Sequence, residues 1–483
     1  MSTPTTQKLP AEMDDRERCL FIDGLTPKGG LYTDTQREVH PSSNSSWQVS
    51  PDPFWMPGQI IKHFEDLGRH LHRFYHAANQ LYWQSFRGIQ PEWAAAYLDV
   101  GKPAEVIGYG RMNRFKQHLP RVIRPDIIPT KDAMIASELD SIPGGIGFTG
   151  SLADRYARLG AEIVGGADGM VAGFSRMVAS VAGKPDPVLG VIVSEESDAY
   201  RPEMQWLGEA LGAAGLETHV LRPEDVVFTE EGLFAPSGGK LRRLDLIYRF
   251  FELFDLKNIP KIDLILYAVR KGLVHTTPPL KAYLEEKMLM ALFHHPLLEG
   301  FWVKELGEEA FDFLLKTFPK TWILDPRPLP PHAVIPGLQI NGTPVADWQA
   351  LGHLHQKERQ FVIKPSGFSE TAWGSRGVSV GHDMAEEDWQ AIIGGALDAF
   401  ETSPSILQEF HTASRFKVSH YDYARDEVVS FRGRPRLQPY YFVVDDEPIL
   451  AGIQATVCPP DKKLLHGMVD AVVIPAALKA NTA

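Results

Sequence analysis

Apolar residues recur at alternating steps of four and three from Ile60 through Phe64, Leu67, Leu71, Phe74 and Ala78 to Leu81. A helix lines such positions along one face, so a long scaffold helix is expected to open the fold near Pro57. Residues 1 to 56 are rich in Ser, Thr, Pro and Asn, and the stretch HPSSNSSWQVSPDP predicts a loosely packed or disordered linker. His63, His70, His72 and His76 stand on the expected helix. His72 and His76 have the i, i+4 spacing of a metal pair, but no HExxH glutamate accompanies them, and solvated helix-face histidines are expected.

Beyond this helix the pattern shortens. LPRVIRPDIIPTKDAMIASELD predicts two β runs around a Thr-Lys-Asp turn, with Pro143-Gly144-Gly145 after them and a helical segment at 151 to 182. PVLGVIVSEES, EMQWLGEALGAAG, LETHVLRPEDV and LDLIYRFFEL then read as strand, helix, strand and strand, the βαβ signature of a small doubly wound lobe. TTPPLKAYLEEKMLMALFHHP reads as a turn entering a helix with proline at its start. From 361 onward, strands alternate with one helix at 386 to 400.

Composition narrows the function classes. With 483 residues, 44% apolar and 23% charged, the chain has the make-up of a soluble globular protein of two or three lobes. It shows neither an eighteen-residue apolar run nor a basic start followed by an apolar h-region, so no membrane span or secretory signal is expected and the cytoplasm is the expected compartment. Cys19 and Cys458 are the only cysteines, too few for a disulfide framework or a thiolate zinc site. A net charge of -12 argues against general affinity for nucleic acid or anionic membrane. Any anion must be gripped locally.

Three stretches offer such a grip. In an extended strand, residues i and i+2 share a face, so Arg124 goes with Asp126, and Glu138 with Asp140. If the two strands pair, all four charges share one sheet face, where oxygen ligands suit Mg²⁺; the alternative is an exposed hairpin of alternating charges. Gly144-Gly145 favours the first reading, because flexible backbone permits close approach of a nucleotide phosphate. The run Phe361-Val362-Ile363 delivers Lys364 at a strand end, where its ammonium can hold phosphate. The loop PSGFSETAWGSRG after it is long and polar enough for a mobile lid, although no GxxxxGK[ST] occurs. In SILQEFH an apolar run ends at Glu409, as a hinge for a purine would, or as an edge strand would.

Together these pieces resemble the ATP-grasp superfamily, in the branch that holds eukaryotic-type glutathione synthetase, glutathionylspermidine synthetase and the circularly permuted bacterial ATP-grasp proteins. The RxD…ExN pattern of that branch is matched by Arg124-Pro125-Asp126 and Glu138-Leu139-Asp140, its KxxL by Lys287 in EEKMLMAL, and its lysine with a glycine loop by Lys364 onward. Gln408-Glu409-Phe410 resembles the adenine hinge, and DLIYRFFELFDL the DxxYRR segment of the permuted group. The resemblance covers roughly residues 110 to 460. Asp140 stands where the family usually has Asn, and Glu370 is either a lid metal ligand or a polar residue of a mobile loop.

The resemblance implies an α/β (α+β) chain: an ATP-grasp fold with antiparallel sheets, an inserted small doubly wound substrate lobe and an N-terminal helical scaffold. The corresponding segments are 1–56 (polar tail), 57–186 (scaffold, with a metal-binding β segment at 110–150), 187–275 (substrate lobe) and 276–483 (lysine, lid and hinge). It implies a carboxylate-amine ligase that uses ATP and Mg²⁺, passes through an acyl phosphate and releases ADP and phosphate. Asp126, Glu138 and Asp140 would hold the metal and Arg124 would be catalytic. Lys287, Lys364, Ser366, Gly367, Gly374, Gly377, Gln408, Glu409 and Phe410 would bind ATP. Arg249, Arg376, Arg415 and Arg436, with Arg434 beside the last, are candidates for gripping a substrate carboxylate. The expected partners are a small-molecule carboxylate and amine, with a homodimer as the commonest oligomer. A phosphotransferase on the same scaffold and a nucleotide-binding module without turnover stand as the other readings.

Overall fold

A computed structural model describes residues 9–27, 30–32, 41–45, 47–140, 142–372, 374, 376–460 and 471–479. Helix α1 (Asp15–Gly24) and strand β1 (Phe54–Met56) precede the long helix α2 (Gly58–Phe86), which is followed by α3 (Glu92–Asp99) and α4 (Ala104–Gly110). Strands β2 (Val122–Pro129) and β3 (Met134–Asp140) lead into α5 (Ile146–Arg158) and α6 (Gly169–Ala182). Next come β4 (Leu189–Val193), α7 (Arg201–Ala213), β5 (Thr218–Leu221), β6 (Val227–Thr229), β7 (Gly232–Ser237), β8 (Lys240–Arg243) and β9 (Leu246–Phe250). Helix α8 (Ile262–Lys271), β10 (His275–Thr277), α9 (Met288–Phe293), α10 (Glu299–Leu306), α11 (Glu308–Thr317) and β11 (Thr321–Ile323) follow. A small hairpin of β12 (Gln339–Ile340) and β13 (Thr343–Pro344) precedes β14 (Phe361–Pro365), β15 (Ser379–Val380), α12 (Glu386–Asp398) and β16 (Ser405–Glu409). The chain ends in β17 (Phe416–Asp422), β18 (Glu427–Val444), β19 (Glu447–Cys458) and β20 (Val472–Leu478).

The architecture is mixed α/β with several sheets. A seven-stranded sheet runs β1-β20-β19-β18-β2-β3 with β17 against β18. Its strands are antiparallel apart from the parallel β1-β20 pair. The small lobe is a four-stranded parallel sheet, β10-β9-β4-β5. A third sheet, β11-β16-β14-β15, is antiparallel and carries Lys364.

The α2 stripe packs on one face of the large sheet, where Ile123, Ile127, Leu437, Tyr441 and Ile453 are buried with Phe64, Leu67, Leu71 and Phe74. A Cβ on Gly68 would meet the Tyr441 ring at 2.5 Å, so glycine lets helix and sheet approach closely. The Tyr441 hydroxyl donates to the Phe64 carbonyl at 2.6 Å and fixes the same contact. On the other face Val122, Tyr440, Phe442 and Ala451 pack against α6, and polar side chains take the remainder.

Several expectations need correction. The N-terminal stretch is not a loose linker in its described parts: Cys19 and Ile22 of α1 are fully buried, Trp47 lies 4.2 Å from Phe148 between ring centroids, and β1 pairs with β20. Cys19, Ile22, Leu31, Trp47, Val49 and Met56 are buried there, which the polar average hides. The segment expected as a helix over 151 to 182 is two helices, broken where Gly165 and Gly166 take φ of 85° and 92°. A Cβ on Gly165 would meet the Ala451 carbonyl oxygen at 2.1 Å. Strands β6 to β8 form an unanticipated antiparallel sheet, because Lys240–Arg243 is wholly exposed and has no apolar alternation. The helix histidines are not solvated as a group: His70 and His72 are buried, and His63 and His70 lie 4.9 and 4.5 Å from the Phe313 ring of α11. No helix among the described residues is long and apolar enough to cross a membrane.

Candidate active site

Strands β2 and β3 pair with Arg124 opposite Asp140 and Asp126 opposite Glu138, so the four charges share one face of the sheet. The intervening Ile123 and Ile127 point into the α2 core. Alternation along β18 brings Arg434, Arg436, Gln438 and Tyr440 to the same side. Arg436 lies 3.0 Å from Asp126, and Gln438 Nε2 donates to Asp126 at 3.2 Å.

The cations that neutralise these carboxylates are side chains from distant parts of the chain. Arg124 lies 2.6 Å from Asp140 and 3.2 Å from Asp126. Lys287, just before α9, lies 2.8 Å from Glu138. Lys364 at the end of β14 donates to the Ser137 carbonyl at 2.7 Å and to Gln408 Oε1 at 2.9 Å. Four cations (Arg124, Lys287, Lys364, Arg436) against three carboxylates (Asp126, Glu138, Asp140) leave the face with one net positive charge. The arginines and lysines relieve the carboxylate repulsion for which a metal is expected from the sequence, and the surplus favours an anion.

The titrations follow from this geometry. Burial by itself would raise Glu138, but Lys287 and Lys364 outweigh it and hold the carboxyl at about 2. Burial raises Asp140, with Arg124 opposing and Glu138 and Asp126 reinforcing. Lys364 is pushed down to about 8, chiefly by burial, with Glu138 opposing and Lys287 adding to the fall. Lys287 goes the other way, because Glu138 beside it outweighs burial.

The Gly144-Gly145 turn has a different purpose from the phosphate approach expected of it. A Cβ on Gly144 would meet the Tyr200 ring at 2.3 Å, and one on Gly145 (φ 91°) would meet the Tyr440 oxygen at 2.4 Å. The Gly145 and Phe148 N–H groups donate to Glu203 at 2.6 and 3.0 Å. Glycine is required here to pack the start of α5 against α7 and β18, and the donors a phosphate would use are taken.

The lid begins where β14 ends. Ser366 Oγ donates to Glu286 Oε1 at 2.5 Å, Gly367 N to Glu286 Oε2 at 3.3 Å, and Lys102 pairs with the same Glu286. A Cβ on Gly367 would meet the Glu285 carbonyl oxygen at 2.0 Å, and one on Gly377 would meet the Pro365 ring at 2.7 Å. Lys287 Nζ donates to the Ala372 carbonyl at 3.0 Å, which ties the lid over the charged face. Gly374 has φ 66° at the tip, and Arg376 reaches Glu196 of the small lobe at 3.3 Å. Glu370 points to Lys257 at 3.7 Å, both mostly exposed, and does not join the carboxylate cluster. Trp373 and Ser375 lie outside the described residues.

At the strand read as a hinge, Gln408 is buried and donates to Thr321 Oγ1 at 3.2 Å besides accepting from Lys364. Glu409 is partly exposed and lies 4.0 Å from Lys320; Phe410 N donates to the Gln360 carbonyl, with its ring 4.4 Å from His382. Arg249 is fully buried, donates to the Phe251 carbonyl at 2.7 Å and pairs with Glu285, so it braces β9 instead of facing the charged sheet. Arg415 is exposed, its carbonyl accepting from Arg432 at 3.3 Å, and stands apart from the cluster.

Sequence reasoning missed Gln438, Glu286 with Lys102, and Glu252. The alternation in RPRLQPY could have pointed to Gln438 beside Arg436. Glu252, raised to about 8 by burial first and by Glu285 and Asp140 next, left no local pattern.

No protein-family model matches the chain, and no curated protein does. Among solved structures, a glutathione synthetase-like effector from Globodera pallida, in its apo form, is matched over 99% of this chain and 100% of its own at 10% identity and a TM-score of 0.56. A candidate γ-glutamylcysteine synthetase from Methylobacillus flagellatus is matched over 87% of this chain and 89% of its own at 13% identity, with a TM-score of 0.39 that carries no argument. The likeness to the effector shows a glutathione synthetase-like fold along the whole chain.

Proposed function

We propose that this chain is an ATP-dependent carboxylate-amine ligase of the ATP-grasp type, in its circularly permuted form, acting with Mg²⁺ and releasing ADP and phosphate. The observation that carries this reading is the convergence of Lys287 and Lys364, far apart in the chain, on the carboxylate face of β2 and β3 beneath the lid. A surplus positive charge beside three carboxylates suits a polyanion that arrives with its own divalent ion. Lys287 and Lys364 would exchange their present partners for phosphate oxygens.

Asp126, Glu138 and Asp140 share one face and offer the oxygen ligands that Mg²⁺ takes; each is now paired with a cation, Arg124, Lys287 or Arg436, that the ion would displace. When bound, the ion would neutralise phosphate charge. Arg124, held between Asp126 and Asp140, would stabilise a transferring phosphoryl group or an acyl phosphate. Lid residues from Ser366 to Gly377 would exclude water from an acyl phosphate, which otherwise hydrolyses. Positioning and electrostatics suffice, so no nucleophilic side chain is needed. Arg376, Arg434 and Arg436 would be the candidates for a substrate carboxylate, whereas Arg249 is committed to Phe251 and Glu285.

The test supplies the chain and Mg-ATP with pools of amino acids, small peptides and polyamines, read by mass spectrometry. ADP should form only when a carboxylate and an amine are both present, and hydroxylamine in place of the amine should yield an acyl hydroxamate. ATP consumption with no trapped acyl species, or a stable phosphoester, overturns the reading.

A further inference from the structure

Outside the charged sheet face, a second cluster of ligating side chains stands on α2. His72 and His76 are one turn apart, and the Nε2 atom of each lies 3.5 Å from Oδ1 of Asp446. The three ligand atoms all lie within 4.8 Å of one another. We propose that His72, His76 and Asp446 form a binding site for a single Zn²⁺-class transition-metal ion, with further coordination positions open to solvent.

The distances support this. A tetrahedral ion with bonds of about 2.0–2.1 Å holds its ligand atoms about 3.4 Å apart, close to the two 3.5 Å separations. The same separations are long for N–H···O hydrogen bonds, which fall at about 2.7–3.2 Å. His72 Nε2 is buried and has no hydrogen-bond partner, an orphan that a metal would satisfy.

The aspartate is presented by a device that is costly without a purpose. Val444 pairs with Glu447, leaving Asp445 and Asp446 as a two-residue turn with φ of 48° and 69°. Asn-Gly or Asp-Gly is the favoured occupant of such a turn. Here Asp446 replaces the glycine and points its carboxylate at α2. Ser180 of α6 fixes the turn, donating to Asp445 Oδ1 at 2.9 Å and accepting from Asp445 N at 3.0 Å. Arg121, 3.7 Å from the same Asp446 oxygen, is the cation that the metal would displace or share the carboxylate with. Imidazole donors select Zn²⁺ and its neighbours over Mg²⁺, which distinguishes this site from the oxygen-only face of β2 and β3.

The test titrates the chelator-treated full chain with Zn²⁺ in millimolar Mg²⁺ by calorimetry, and with Co²⁺ by visible absorption. One equivalent should bind at about micromolar affinity or tighter, with bands of low-symmetry Co²⁺. His76→Ala and Asp446→Asn should each weaken binding about tenfold or more without lowering the melting temperature of the metal-free protein, since both side chains are exposed. Absence of saturable binding, or equal binding by wild type and His76→Ala, overturns the assignment.

Discussion

Arg124 and Asp140 face each other across β2 and β3 with 2.6 Å between guanidinium and carboxylate, and the same guanidinium reaches Asp126 at 3.2 Å. Asp140 is therefore a partner that holds Arg124 in place as well as a candidate metal ligand. Asp140→Asn keeps an oxygen acceptor for Arg124 and removes one negative charge. We expect it to fold normally and to keep turnover within about tenfold of wild type, because the hydrogen bond to Arg124 is kept and only its charge assistance is lost, worth about 1 kcal/mol. Asp140→Lys, which sets a cation against Arg124, should abolish turnover. Steady-state ADP release for both variants checks the pair.

On the proposed function, Lys364 would make Mg-ATP binding depend on pH. Burial holds its ammonium at about 8 against an ordinary value of 10.5, and Glu138 keeps it from falling further. If the charged ammonium holds phosphate, Mg-ATP affinity is full below pH 8 and declines as pH rises through about 8. Glu138→Gln removes the carboxylate that raises Lys364, so the midpoint should move to lower pH. Calorimetric Kd values from pH 6.5 to 9.5 would show it, and a flat profile would remove Lys364 from the phosphate site.

Much of this was legible because it is local. Arg124, Asp126, Glu138 and Asp140 alternate within two short strands, and alternation alone puts them on one face. The α2 stripe was legible for the same reason, with period 3.6 in place of 2. What could not be read depends on long-range register. Arg436 meets Asp126 only because Leu437 pairs with Ile127 across β18 and β2. The packing role of Gly144-Gly145 is not local either, because Tyr200 and Glu203, which press on it, belong to the small lobe. The helix histidines are covered from a distance in sequence, since Phe313 of α11 lies against His63 and His70. None of these partners lies within a window that periodicity inspects.

Lys364→Met should separate function from folding. The apolar chain keeps the packing of a residue that is 7% exposed, while the ammonium that contacts Ser137 and Gln408 is lost. We expect ADP formation to fall at least about a hundredfold, the loss of one strong electrostatic contact to a transferring phosphoryl group. The melting temperature should stay within a few degrees. A collapse in thermal stability with proportionate loss of activity would assign Lys364 a structural role.

The lid anchor at Ser366 predicts uncoupling. Ser366 Oγ donates to Glu286 at 2.5 Å, and Gly367 N meets the other oxygen of the same carboxylate at 3.3 Å, so the loop leaves β14 on a fixed path. Ser366→Ala removes one of the two tethers at a cost of about 1 kcal/mol and leaves the buried Lys102-Glu286 pair intact. The loosened lid should be cut faster by protease between Pro365 and Gly377. Water should then reach the acyl phosphate more often, raising the ratio of ADP to ligated product while ATP binding changes little. Unchanged coupling together with unchanged proteolysis would mean that the Gly367–Glu286 and Lys287–Ala372 bonds hold the lid without Ser366.

Gly68 offers a test of the scaffold that is independent of the chemistry. An added Cβ would sit 2.5 Å from two carbons of the Tyr441 ring. The ring cannot retreat, because it is fully buried and its hydroxyl is bonded to the Phe64 carbonyl one turn earlier on α2. Alanine is the better helix former by about 1 kcal/mol, so local propensity predicts that Gly68→Ala stabilises α2. Overpacking of a core opposes this with about 1–3 kcal/mol, and the short contact puts Gly68 toward the upper end of that range. The net expectation is a lower melting temperature, with Tyr441→Phe restoring part of it by freeing the ring to shift. A Gly68→Ala protein that melts higher than wild type would show that helix α2 can lift off the sheet without loss.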